Sequence, residues 1–327
     1  MKTVKWGVLG TADIARRCTI PGMQQAENCC LYAIAGRSAE KAEQFRTSFG
    51  FEKAYDSYEA LLADPEVEAV YIPLPNELHY EWALKAIEAN KHVLCEKPLA
   101  PTPDQIDALF DAAEAHGVVL MEAFAYLHSP FMAALKQELQ HGSIGDPLYL
   151  ESVFITSDYD QSNIRMRKET FGGSTYDLGC YNTSQILWLL DEEPEDIKAV
   201  AEFAPNGIDV CTTGILQFSG GKRAVFQCGM VLATEQGRRI DRVSIHGTRG
   251  NICSDMEFNQ DGVLTYTVSV DGVRTVKSVD TPQNYKLEVE QLGRCITDGE
   301  QPFVSRAFTM RNARVLDRIL HIIGYYD

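Results

Sequence analysis

Three side chains able to handle a proton lie far apart in the sequence. Lys97 follows the apolar run His92–Cys95, and Asp177 and Tyr181 lie four residues apart in a helix-like segment. Residues four apart share one face of a helix. An amine can polarise the oxygen of a carbonyl or alcohol, a phenol can exchange its proton, and a carboxylate can orient the reactant or the amine. The three residues therefore predict proton-coupled chemistry at such an oxygen, provided that they meet in the fold.

Each of these residues also has a purely structural explanation. The sequence Glu96-Lys97-Pro98 is typical of an exposed turn, although the proline restricts the lysine to extended geometry. The helix dipole favours an aspartate near a helix start, and a tyrosine can simply fill a core. For Asp177 and Tyr181 taken alone, this explanation is the simpler one. The chemical hypothesis gains support from the position of Lys97, because ligands bind at the carboxyl ends of strands in parallel sheets.

The first turn of the chain has the pattern of a phosphate-binding loop. The strand candidate Val4–Leu9 runs into Gly10, which can supply a tight turn, and Ala12 stands where a second glycine usually lets the backbone approach a phosphate. Ala15 suits a close contact between helix and strand. The pattern is a reduced G-x-A-x-x-A, and the alternative is a glycine-capped turn without a ligand. Its position at the first strand-to-helix junction favours a dinucleotide cofactor.

The end of the second strand candidate predicts the type of cofactor. A site for NAD usually carries an acidic residue there for the ribose 2′-hydroxyl, yet the stretch Asn28–Ala39 contains no Asp or Glu. It contains Arg37 and Ser38 instead, and Lys41 follows one helical turn later. These side chains suit a 2′-phosphate, which an acid would repel. We therefore expect NADP(H) in preference to NAD(H), with NAD as the weaker possibility and a solvated arginine as the structural alternative.

Polar residues after two further strand candidates are weaker site candidates. Asn76 and His79 follow a loop that two prolines stiffen, and Glu122 follows the strand candidate Val118–Met121. Asn76 could only cap its helix, His79 could only lie on a helix surface, and Glu122 could be a structural carboxylate where two domains join. Direct roles and structural roles stay open for all three residues.

The elements that must position these residues change in character near residue 125. Residues 1–122 alternate short apolar runs with helical periodicity, which predicts a doubly wound parallel sheet with helices on both faces. The predicted strands are Val4–Leu9, Leu31–Ala35, Ala69–Ile72, His92–Cys95 and Val118–Met121. The predicted helices are Ile14–Gln25, Ala39–Phe49, Tyr58–Ala63, Glu77–Ala89 and Pro103–His116.

The second half of the chain predicts closely connected strands, which make an antiparallel sheet. Asp271-Gly272 lies between two strand candidates and is a strong hairpin signal. The predicted strands are Leu148–Thr156, Ile197–Phe203, Gly214–Phe218, Ala224–Leu232, Leu264–Val270 and Val273–Val279. Predicted helices are Phe131–His141, a run ending near Leu190, one with an apolar stripe from Tyr285 to Ile296 before Gly299, and Phe308–Ile323. The fold class is α/β, with a doubly wound domain at residues 1–125 and an α+β domain at residues 126–327.

Composition bounds the cellular setting and the partners. The 327 residues fit about two domains, and 46 acidic against 30 basic residues give a net charge of −16. This charge argues against nucleic acid and anionic membranes as partners. The nine cysteines include no C-x-x-C pair, which predicts reduced thiols and no zinc site, and no run is long enough for a membrane span. We expect a cytoplasmic protein.

Four motifs in their order resemble the glucose–fructose oxidoreductase/inositol dehydrogenase/rhizopine catabolism (Gfo/Idh/MocA) family. They are Gly10-x-Ala12, Glu96-Lys97-Pro98, Glu122-Ala123-Phe124 and Gly172-Gly173-Ser174 with Asp177-Leu178-Gly179-Cys180-Tyr181. The resemblance implies a Rossmann domain, a substrate domain on a large open-faced, mostly antiparallel sheet, and hydride transfer with a sugar, polyol or related alcohol. Tyr181, where many members have His, is similar to the dihydrodiol dehydrogenase and NADP-dependent xylose dehydrogenase branch. Ala12 and Ser174 replace glycines that are common in the family.

The resemblance and the strand ends together give a set of candidate site residues without a metal ligand. The expected catalytic residues are Lys97, Asp177 and Tyr181. The expected cofactor-binding residues are Gly10, Thr11, Ala12, Asp13, Ile14, Arg37, Ser38, Lys41, Pro73, Leu74, Asn76, His79, Glu96, Lys97 and Glu122. The expected substrate-binding residues are Lys97, Tyr126, Arg165, Asp177 and Tyr181, with the loop Asp158–Lys168 shaping the pocket. The sheet face left uncovered by helices is expected to join subunits in a homodimer or larger homo-oligomer.

Other functions make different demands on the sequence. Short-chain reductase chemistry uses Tyr-x-x-x-Lys, and no tyrosine here has a lysine four residues later. Zinc-dependent alcohol oxidation needs a ligand cluster that the sequence lacks. A cofactor-binding sensor without turnover would not need Lys97, Asp177 and Tyr181, and glycoside hydrolysis through transient oxidation would leave the bound NAD unchanged overall. The sequence thus predicts an NADP-preferring oxidoreductase, with the sensor as the main alternative.

Overall fold

The computed structural model describes residues 2–157, 162–232 and 239–327. Its strands, in chain order, are β1 (Val4–Leu9), β2 (Cys29–Ala35), β3 (Lys53–Tyr55), β4 (Ala69–Ile72), β5 (His92–Glu96), β6 (Leu120–Ala123), β7 (Pro147–Ser157), β8 (Asp196–Phe203), β9 (Asp209–Gln217), β10 (Arg223–Leu232), β11 (Ile240–Gly247), β12 (Gly250–Ser254), β13 (Gly262–Val270) and β14 (Val273–Thr281). Its α-helices are α1 (Ile20–Gln25), α2 (Ala39–Phe49), α3 (Tyr58–Leu62), α4 (Asn76–Glu88), α5 (Pro103–His116), α6 (Pro130–Gln140), α7 (Cys180–Leu190), α8 (Asn284–Asp298) and α9 (Arg306–Ile322).

The chain divides into two structural units, and the first unit contains two separate parts of the sequence. Met1–His128 and Pro282–Thr309 form the first unit, whereas Ser129–Thr281 and Met310–Asp327 form the second. The division expected at residue 125 placed the whole remainder of the chain in the second domain. The structure differs because α8 packs on α1, β1 and β2.

The first unit is built on a parallel sheet with the strand order β3-β2-β1-β4-β5-β6. The order reverses between β1 and β4, so a crevice opens at the carboxyl ends of these strands, where dinucleotides bind in such sheets. The prediction of a doubly wound Rossmann sheet is therefore confirmed. The short strand β3 was not predicted, because Lys53–Tyr55 has too few residues to show a pattern.

Local signals set several helix ends in this unit. Ser38 accepts a hydrogen bond from the Lys41 N–H at the start of α2, and Gly50 ends that helix with φ +82°. The prediction that Asn76 caps its helix is wrong, since Pro75 occupies the cap position and Asn76 is the first residue of α4. The helix expected at Ile14–Gln25 contains a π-helical turn, Ala15–Thr19, before α1.

The second unit is built on a sheet with the order β14-β13-β12-β11-β7-β10-β9-β8. Neighbouring strands are antiparallel except β7 and β10, which are parallel, so the prediction of a mostly antiparallel sheet is confirmed. The hairpin at Asp271-Gly272 is also present, with φ +51° and +80°, as a type I′ turn requires. The strands β11 and β12 were not predicted.

One face of this sheet packs against helix α7, and the other face exposes apolar side chains. On the helix side, the hydroxyl of Ser152 on β7 lies 2.7 Å from Gln185 and accepts a hydrogen bond from Asn182 at 2.9 Å. On the opposite face, Val200 is 72% exposed and Ile215 is 41% exposed. Within the described ranges, every helix is too short or too polar to cross a membrane.

Candidate active site

The first turn after β1 requires a glycine for two independent reasons. Gly10 has φ +127°, a conformation that side chains strongly disfavour, and its N–H donates to the Ala35 carbonyl at 2.9 Å. A Cβ atom there would lie 3.1 Å from the side chain of Leu74. The helical run then starts at Asp13, and its first backbone bond joins the Arg16 N–H to the Ala12 carbonyl at 3.1 Å. The turn therefore places an open helix start beside the close-packed Gly10, an arrangement that suits a phosphate.

Asp13 at this helix start is paired with two arginines. Its carboxylate accepts from Arg16 at 2.6 Å and lies 2.5 Å from Arg17, and all three side chains are exposed. The hydrogen bond from Arg16 lowers the pKa of Asp13. The arginines offset a charge that would otherwise repel a phosphate at this turn. The turn therefore still fits an anionic cofactor although it carries an acid.

The end of β2 exposes the cation that the sequence singled out for a 2′-phosphate. Arg37 is exposed and forms no ion pair with another described residue. Burial raises the pKa of Tyr58, and the charge of Arg37 acts against this shift, so the two groups are near each other. The hydroxyl of Tyr58 would lie 3.7 Å from a Cβ atom at Gly10. Tyr58, which sequence analysis missed as a site residue, thus lies beside the first turn.

Lys97 follows the last residue of β5 and is half-buried, with a cis peptide bond to Pro98. The preceding residue, Glu96, accepts a hydrogen bond from the hydroxyl of Tyr71 at 2.6 Å. Tyr71 in turn accepts from the hydroxyl of Thr19 at 2.9 Å. Burial raises the pKa of Tyr71 well above its ordinary value, so this phenol stays a donor to Glu96. The chain Thr19–Tyr71–Glu96 fixes the strand end that presents Lys97.

His79 holds two loops together from inside the protein. Its ring is fully buried, with Nδ1 2.7 Å from the Pro98 carbonyl and Nε2 2.7 Å from the Leu74 carbonyl. The alternative of a surface helix residue is therefore wrong. Burial lowers the pKa of His79, and the charge of Lys97 adds to this effect. A direct contact of His79 with a cofactor stays a prediction, whereas its contact with the turn after Lys97 is observed.

Glu122 holds the same turn from the neighbouring strand β6. It is 3% exposed, and one carboxylate oxygen accepts the Leu99 N–H at 3.0 Å. Burial raises the pKa of Glu122 to about 7, although the Leu99 N–H and the charge of Lys97 oppose the shift. The carboxyl group can therefore hold or release a proton near neutral pH. Glu122 is therefore a structural carboxylate close to Lys97, and a direct role towards a cofactor stays a prediction.

Three further candidates of the first unit lie in the segments that follow strands β4 and β6. Pro73 and Leu74 are buried in the loop that leads into α4, while Tyr126 lies in a buried helical turn, Ala125–His128. The ring of Tyr126 meets Phe124 edge-on at 6.2 Å. Its role towards a substrate stays a prediction, and the structure shows that most of the ring packs within the protein.

In the second unit, two glycines precede the helix that carries Asp177 and Tyr181. A Cβ atom at Gly172 would lie 2.4 Å from the Arg165 carbonyl, and one at Gly173, with φ +112°, would lie 2.1 Å from a carboxylate oxygen of Asp209. Asp209 is fully buried and was missed by sequence analysis. An acid flanked by apolar residues, Ile208 and Val210, was the available signal.

Asp209 organises the first turn of that helix. One of its oxygens accepts the Ser174 hydroxyl at 2.7 Å, the Thr175 N–H at 2.8 Å and the Thr175 hydroxyl at 2.7 Å. Burial raises the pKa of Asp209, and these hydrogen bonds act against the shift. The hydroxyl of Ser174 therefore has a defined hydrogen-bond partner in Asp209. A π-helical turn, Thr175–Gly179, follows and leads into α7.

Asp177 lies in this π-helical turn and is paired with another predicted site residue. Arg165 donates from Nε to Oδ2 of Asp177 at 2.6 Å. The side chain of Asp177 is 14% exposed and that of Arg165 is 36% exposed. The structure therefore joins two residues that were both expected to contact the substrate. Residues 158–161 of the loop expected to shape the pocket lie outside the described part of the chain.

Tyr181 lies in the first turn of α7 and packs against two aromatic rings that also contact each other. Its ring centroid is 5.4 Å from that of Phe154 and 5.2 Å from that of Phe258. The amide of Asn259 donates towards the phenol oxygen at 3.5 Å, a distance at the limit of a hydrogen bond. The aromatic contacts restrict the position of the Tyr181 ring, and the hydroxyl group is its polar end. Phe154, Phe258 and Asn259 were not recognised as site residues in the sequence.

The structure thus assembles two groups of candidate residues. The first unit brings Glu96, Lys97 and Glu122 to the carboxyl edge of its sheet, with His79 behind them. The second brings Arg165, Asp177 and Tyr181 to the start of one helix. The meeting of Lys97 with Asp177 and Tyr181 stays a prediction. Across the described residues, no three His, Cys, Asp or Glu side chains gather as metal ligands.

Comparison with known families matches both units of the chain. Residues 4–124 match the model of an oxidoreductase family with an NAD-binding Rossmann fold, and residues 132–253 match the GFO/IDH/MocA C-terminal domain. The chain belongs to the Gfo/Idh/MocA family. The resemblance inferred from the four motifs is confirmed, and so is the prediction of an NAD(P)-dependent oxidoreductase.

Several members of this family are similar to the chain over nearly its full length. The NADP(+)-dependent D-xylose 1-dehydrogenase 2 of Haloferax volcanii is 34% identical over 96% of this chain and 95% of the relative. Trans-1,2-dihydrobenzene-1,2-diol dehydrogenase of Xenopus laevis is 29% identical over 98% of each chain. A 3-ketoreductase from Actinomadura kijaniata, solved with NADP and TDP-benzene, superimposes with a TM-score of 0.92 at 27% identity over 98% of each chain.

Proposed function

We propose that this protein is an NADP-dependent dehydrogenase that oxidises a hydroxyl-bearing carbon of a sugar, polyol or cyclic diol, or reduces the matching carbonyl. The observation that carries the proposal is the position of Lys97. It is half-buried at the carboxyl edge of the parallel sheet that also forms the turn at Gly10. A positioned amine beside a dinucleotide-type turn is suited to polarising an oxygen next to a nicotinamide ring.

The cofactor site fits NADP by its shape and by its charge. The turn at Gly10 has a positive φ that disfavours a side chain and packs closely against Leu74, and the helix start at Asp13 offers backbone N–H groups to a pyrophosphate. Arg37 is an exposed cation just after β2, Lys41 is an exposed cation in the first turn of α2, and the Ser38 hydroxyl can still donate while it accepts from Lys41. These three residues would hold the 2′-phosphate. When bound, the nicotinamide accepts or returns the hydride.

The chain supplies binding and proton transfer. The ammonium group of Lys97 polarises the reacting oxygen, Tyr181 takes the hydroxyl proton during oxidation and returns it during reduction, and Asp177 orients the substrate together with Arg165. Glu122 and His79 hold the Lys97 turn through Leu99 and Pro98. In this scheme the same lysine assists both directions, because it stabilises partial negative charge on oxygen in either case.

We also propose the setting in which the enzyme works. The exposed apolar residues on the sheet face away from α7, such as Val200 and Ile215, support a homodimer or larger homo-oligomer formed through this face. The first unit would bind NADP, and the second would bind substrate and join subunits. The absence of C-x-x-C pairs among nine cysteines supports a reducing, cytoplasmic location.

The direct test is turnover with substrates of the proposed class. The purified protein is mixed with NADP⁺ and, in separate reactions, D-xylose, D-glucose, myo-inositol and trans-1,2-dihydrobenzene-1,2-diol, and NADPH formation is followed by absorbance. We expect at least one substrate to be oxidised, and NAD⁺ to support a slower reaction at the same concentration. Tight NADPH binding without turnover of any substrate would favour a sensor instead. Sugar release from a glycoside without net NADPH change would favour hydrolysis through transient oxidation.

A further inference from the structure

The phenol of Tyr181 lies near a buried ion pair that the sequence did not reveal. Arg239 immediately precedes β11, and its partner Asp241 lies on β11 with a side chain that is 1% exposed. The guanidinium donates from Nε to Oδ1 at 2.8 Å and from Nη2 to Oδ2. Such a two-point contact fixes both the position and the plane of a guanidinium group.

This ion pair is part of the wall around the Tyr181 ring. The guanidinium carbon of Arg239 lies 4.5 Å from the ring centroid of Phe154, which meets Tyr181 edge-on. Asp241 also accepts the backbone N–H of Phe258 at 2.7 Å, and Phe258 is the second ring in contact with Tyr181. One buried carboxylate therefore positions both a cation and an aromatic ring beside the proposed proton carrier.

Arg239 stays protonated, and its positive charge interacts electrostatically with the phenol of Tyr181. Burial is the largest single effect and lowers the pKa of Arg239, but the hydrogen bond with Asp241 and the surrounding negative charges together outweigh it, so the pKa is raised. Glu257, at 3.6 Å, and the phenol of Tyr181 act in the same direction. Electrostatic coupling is reciprocal, so a cation that a tyrosinate stabilises also stabilises that tyrosinate.

Among the described residues of the second unit, the other groups facing Tyr181 do not replace this charge. Asp177, one turn earlier on the same helical run, is negative and is paired with Arg165 at 2.6 Å. From the turn after β12 the facing side chains are Phe258 and the neutral amide of Asn259, and from β7 it is the ring of Phe154. Loss of the Arg239 charge would also leave Asp241 uncompensated, so both consequences would disfavour a tyrosinate.

We propose that Arg239, fixed by Asp241, is a positioning residue for Tyr181 that holds its aromatic wall and favours the ionised phenol. The inference rests on the proposed function, in which Tyr181 exchanges the substrate proton. During oxidation the substrate O–H bond breaks and its proton bonds to the tyrosinate oxygen, while the hydride leaves with the C–H electron pair to NADP⁺. An isolated phenol ionises only near pH 10, so a neighbouring cation is needed for this step near neutral pH.

A titration of Tyr181 tests the electrostatic part of this proposal without any substrate. Tyrosine labelled with an NMR-active isotope at ring Cζ is incorporated into the full chain, and Tyr181→Phe identifies the Tyr181 signal. We expect Arg239→Gln to raise the titration midpoint of Tyr181 by about one pH unit, and Arg239→Lys to restore most of the difference. The control is Arg242→Gln, which removes a cation from the opposite face of β11, where Arg242 lies 3.3 Å from Glu151.

Kinetics test the part that concerns the reaction. With D-xylose and NADP⁺, we expect Arg239→Gln to lower kcat about tenfold at neutral pH, with little change in KM and with the rising limb of the pH profile moved to higher pH. In a Tyr181→Phe background, Arg239→Gln should cause no further loss in kcat. If Arg239→Gln fails to fold, the pair Arg239→Gln with Asp241→Asn removes both charges and is expected to show a smaller shift in the same direction, because the Asp241 charge that also disfavours a tyrosinate is gone.

The outcomes separate this inference from the proposed function. Full turnover by Tyr181→Phe would remove the proposed role of Tyr181 while the titration still measures the effect of Arg239 on the phenol. An impaired Tyr181→Phe together with equal Tyr181 midpoints in the wild type, Arg239→Gln and the charge-free pair would overturn the inference on Arg239 alone.

Discussion

Two helix starts in this protein, one in each unit, have the same types of residue but are expected to bind different groups. Gly10 in the first unit and Gly173 in the second have φ +127° and +112°, and each leads into a helical run that contains a π-helical turn. Each run also carries an aspartate paired with arginine, Asp13 in the first and Asp177 in the second. Similar backbone and charge patterns thus appear where a cofactor is expected and where a substrate is expected.

The two starts differ in how firmly their parts are held. The side chain of Asp13 is 56% exposed and pairs with arginines three and four residues later, so solvent screens these contacts and they can rearrange. The side chain of Asp177 is 14% exposed and pairs with Arg165, which lies twelve residues earlier. The contacts are therefore adjustable at the first start, where a cofactor is expected, and fixed at the second, where a substrate is expected.

The largest contrast is expected from matched glycine substitutions. Gly173→Ala would place a Cβ atom 2.1 Å from a carboxylate oxygen of Asp209, which several hydrogen bonds hold in place. We expect it to lower the free energy of unfolding by about 3 kcal/mol or more. Gly10→Ala meets the movable side chain of Leu74 at 3.1 Å and should cost about 1–2 kcal/mol. Urea unfolding of both variants measures the difference, and equal losses would contradict the comparison.

Replacing the aspartate at each helix start by asparagine should show which of the two takes part in the reaction. Asp177→Asn is expected to lower kcat/KM about a hundredfold, because it removes a charge held close to the proposed substrate. Asp13→Asn should change kcat by less than about threefold, since its carboxylate is screened and only borders the cofactor turn. Steady-state kinetics with the best substrate of the panel measures both. Similar losses in kcat would mean that the first start takes part in the reaction.

A pH prediction follows from the buried acid next to the Lys97 turn. Burial raises the pKa of Glu122 to about 7, so the folded protein binds this proton more tightly than the unfolded chain does. Its effect on stability is absent below about pH 4, where both states are protonated, and it becomes destabilising by about 3 kcal/mol as pH rises to 7 and above. Glu122→Gln should remove this loss. Unfolding at several pH values tests the point, and an identical pH dependence in both proteins would contradict it.

The smallest expected effect concerns the type of cofactor. Arg37→Ala should weaken NADPH binding about tenfold and leave NADH binding unchanged, since the charge-assisted contact it removes involves only the 2′-phosphate. Fluorescence titration with both dinucleotides measures the two affinities. Glu40→Ala, at an exposed position in the first turn of α2 just after Arg37, is the matched control and should affect neither. An equal loss for NADPH and NADH would show that Arg37 supports the turn rather than the phosphate.

Elements that local chemistry determines were predictable from the sequence. The helices Ala39–Phe49 and Pro103–His116 match their predicted bounds, because each has a side-chain cap at its start and a glycine at its end. The strands β11 and β12 were missed, since β11 mixes Asp241, Arg242 and His246 with its apolar residues. Partners on neighbouring strands determine these segments, and a single sequence does not show such partners.

The candidate site also contains residues that the sequence predicts and residues that it does not. Lys97 was predictable because a strand ends just before it, and Asp177 and Tyr181 because they belong to a motif with two glycines. Asp209 and Arg239 belong to no motif, and their importance comes from contacts with residues far away in the sequence. The π-helical turns were also beyond prediction, since their residues have no distinct composition.

The chain returns to the first unit at Pro282–Thr309, which affects the folding of this unit during translation. Val289 and Leu292 of α8 are fully buried in a unit whose sheet is complete by residue 123. A nascent polypeptide that has emerged only to His128 therefore lacks part of its interior packing. The nucleotide-binding half, although translated first, can finish folding only after the ribosome has passed residue 298.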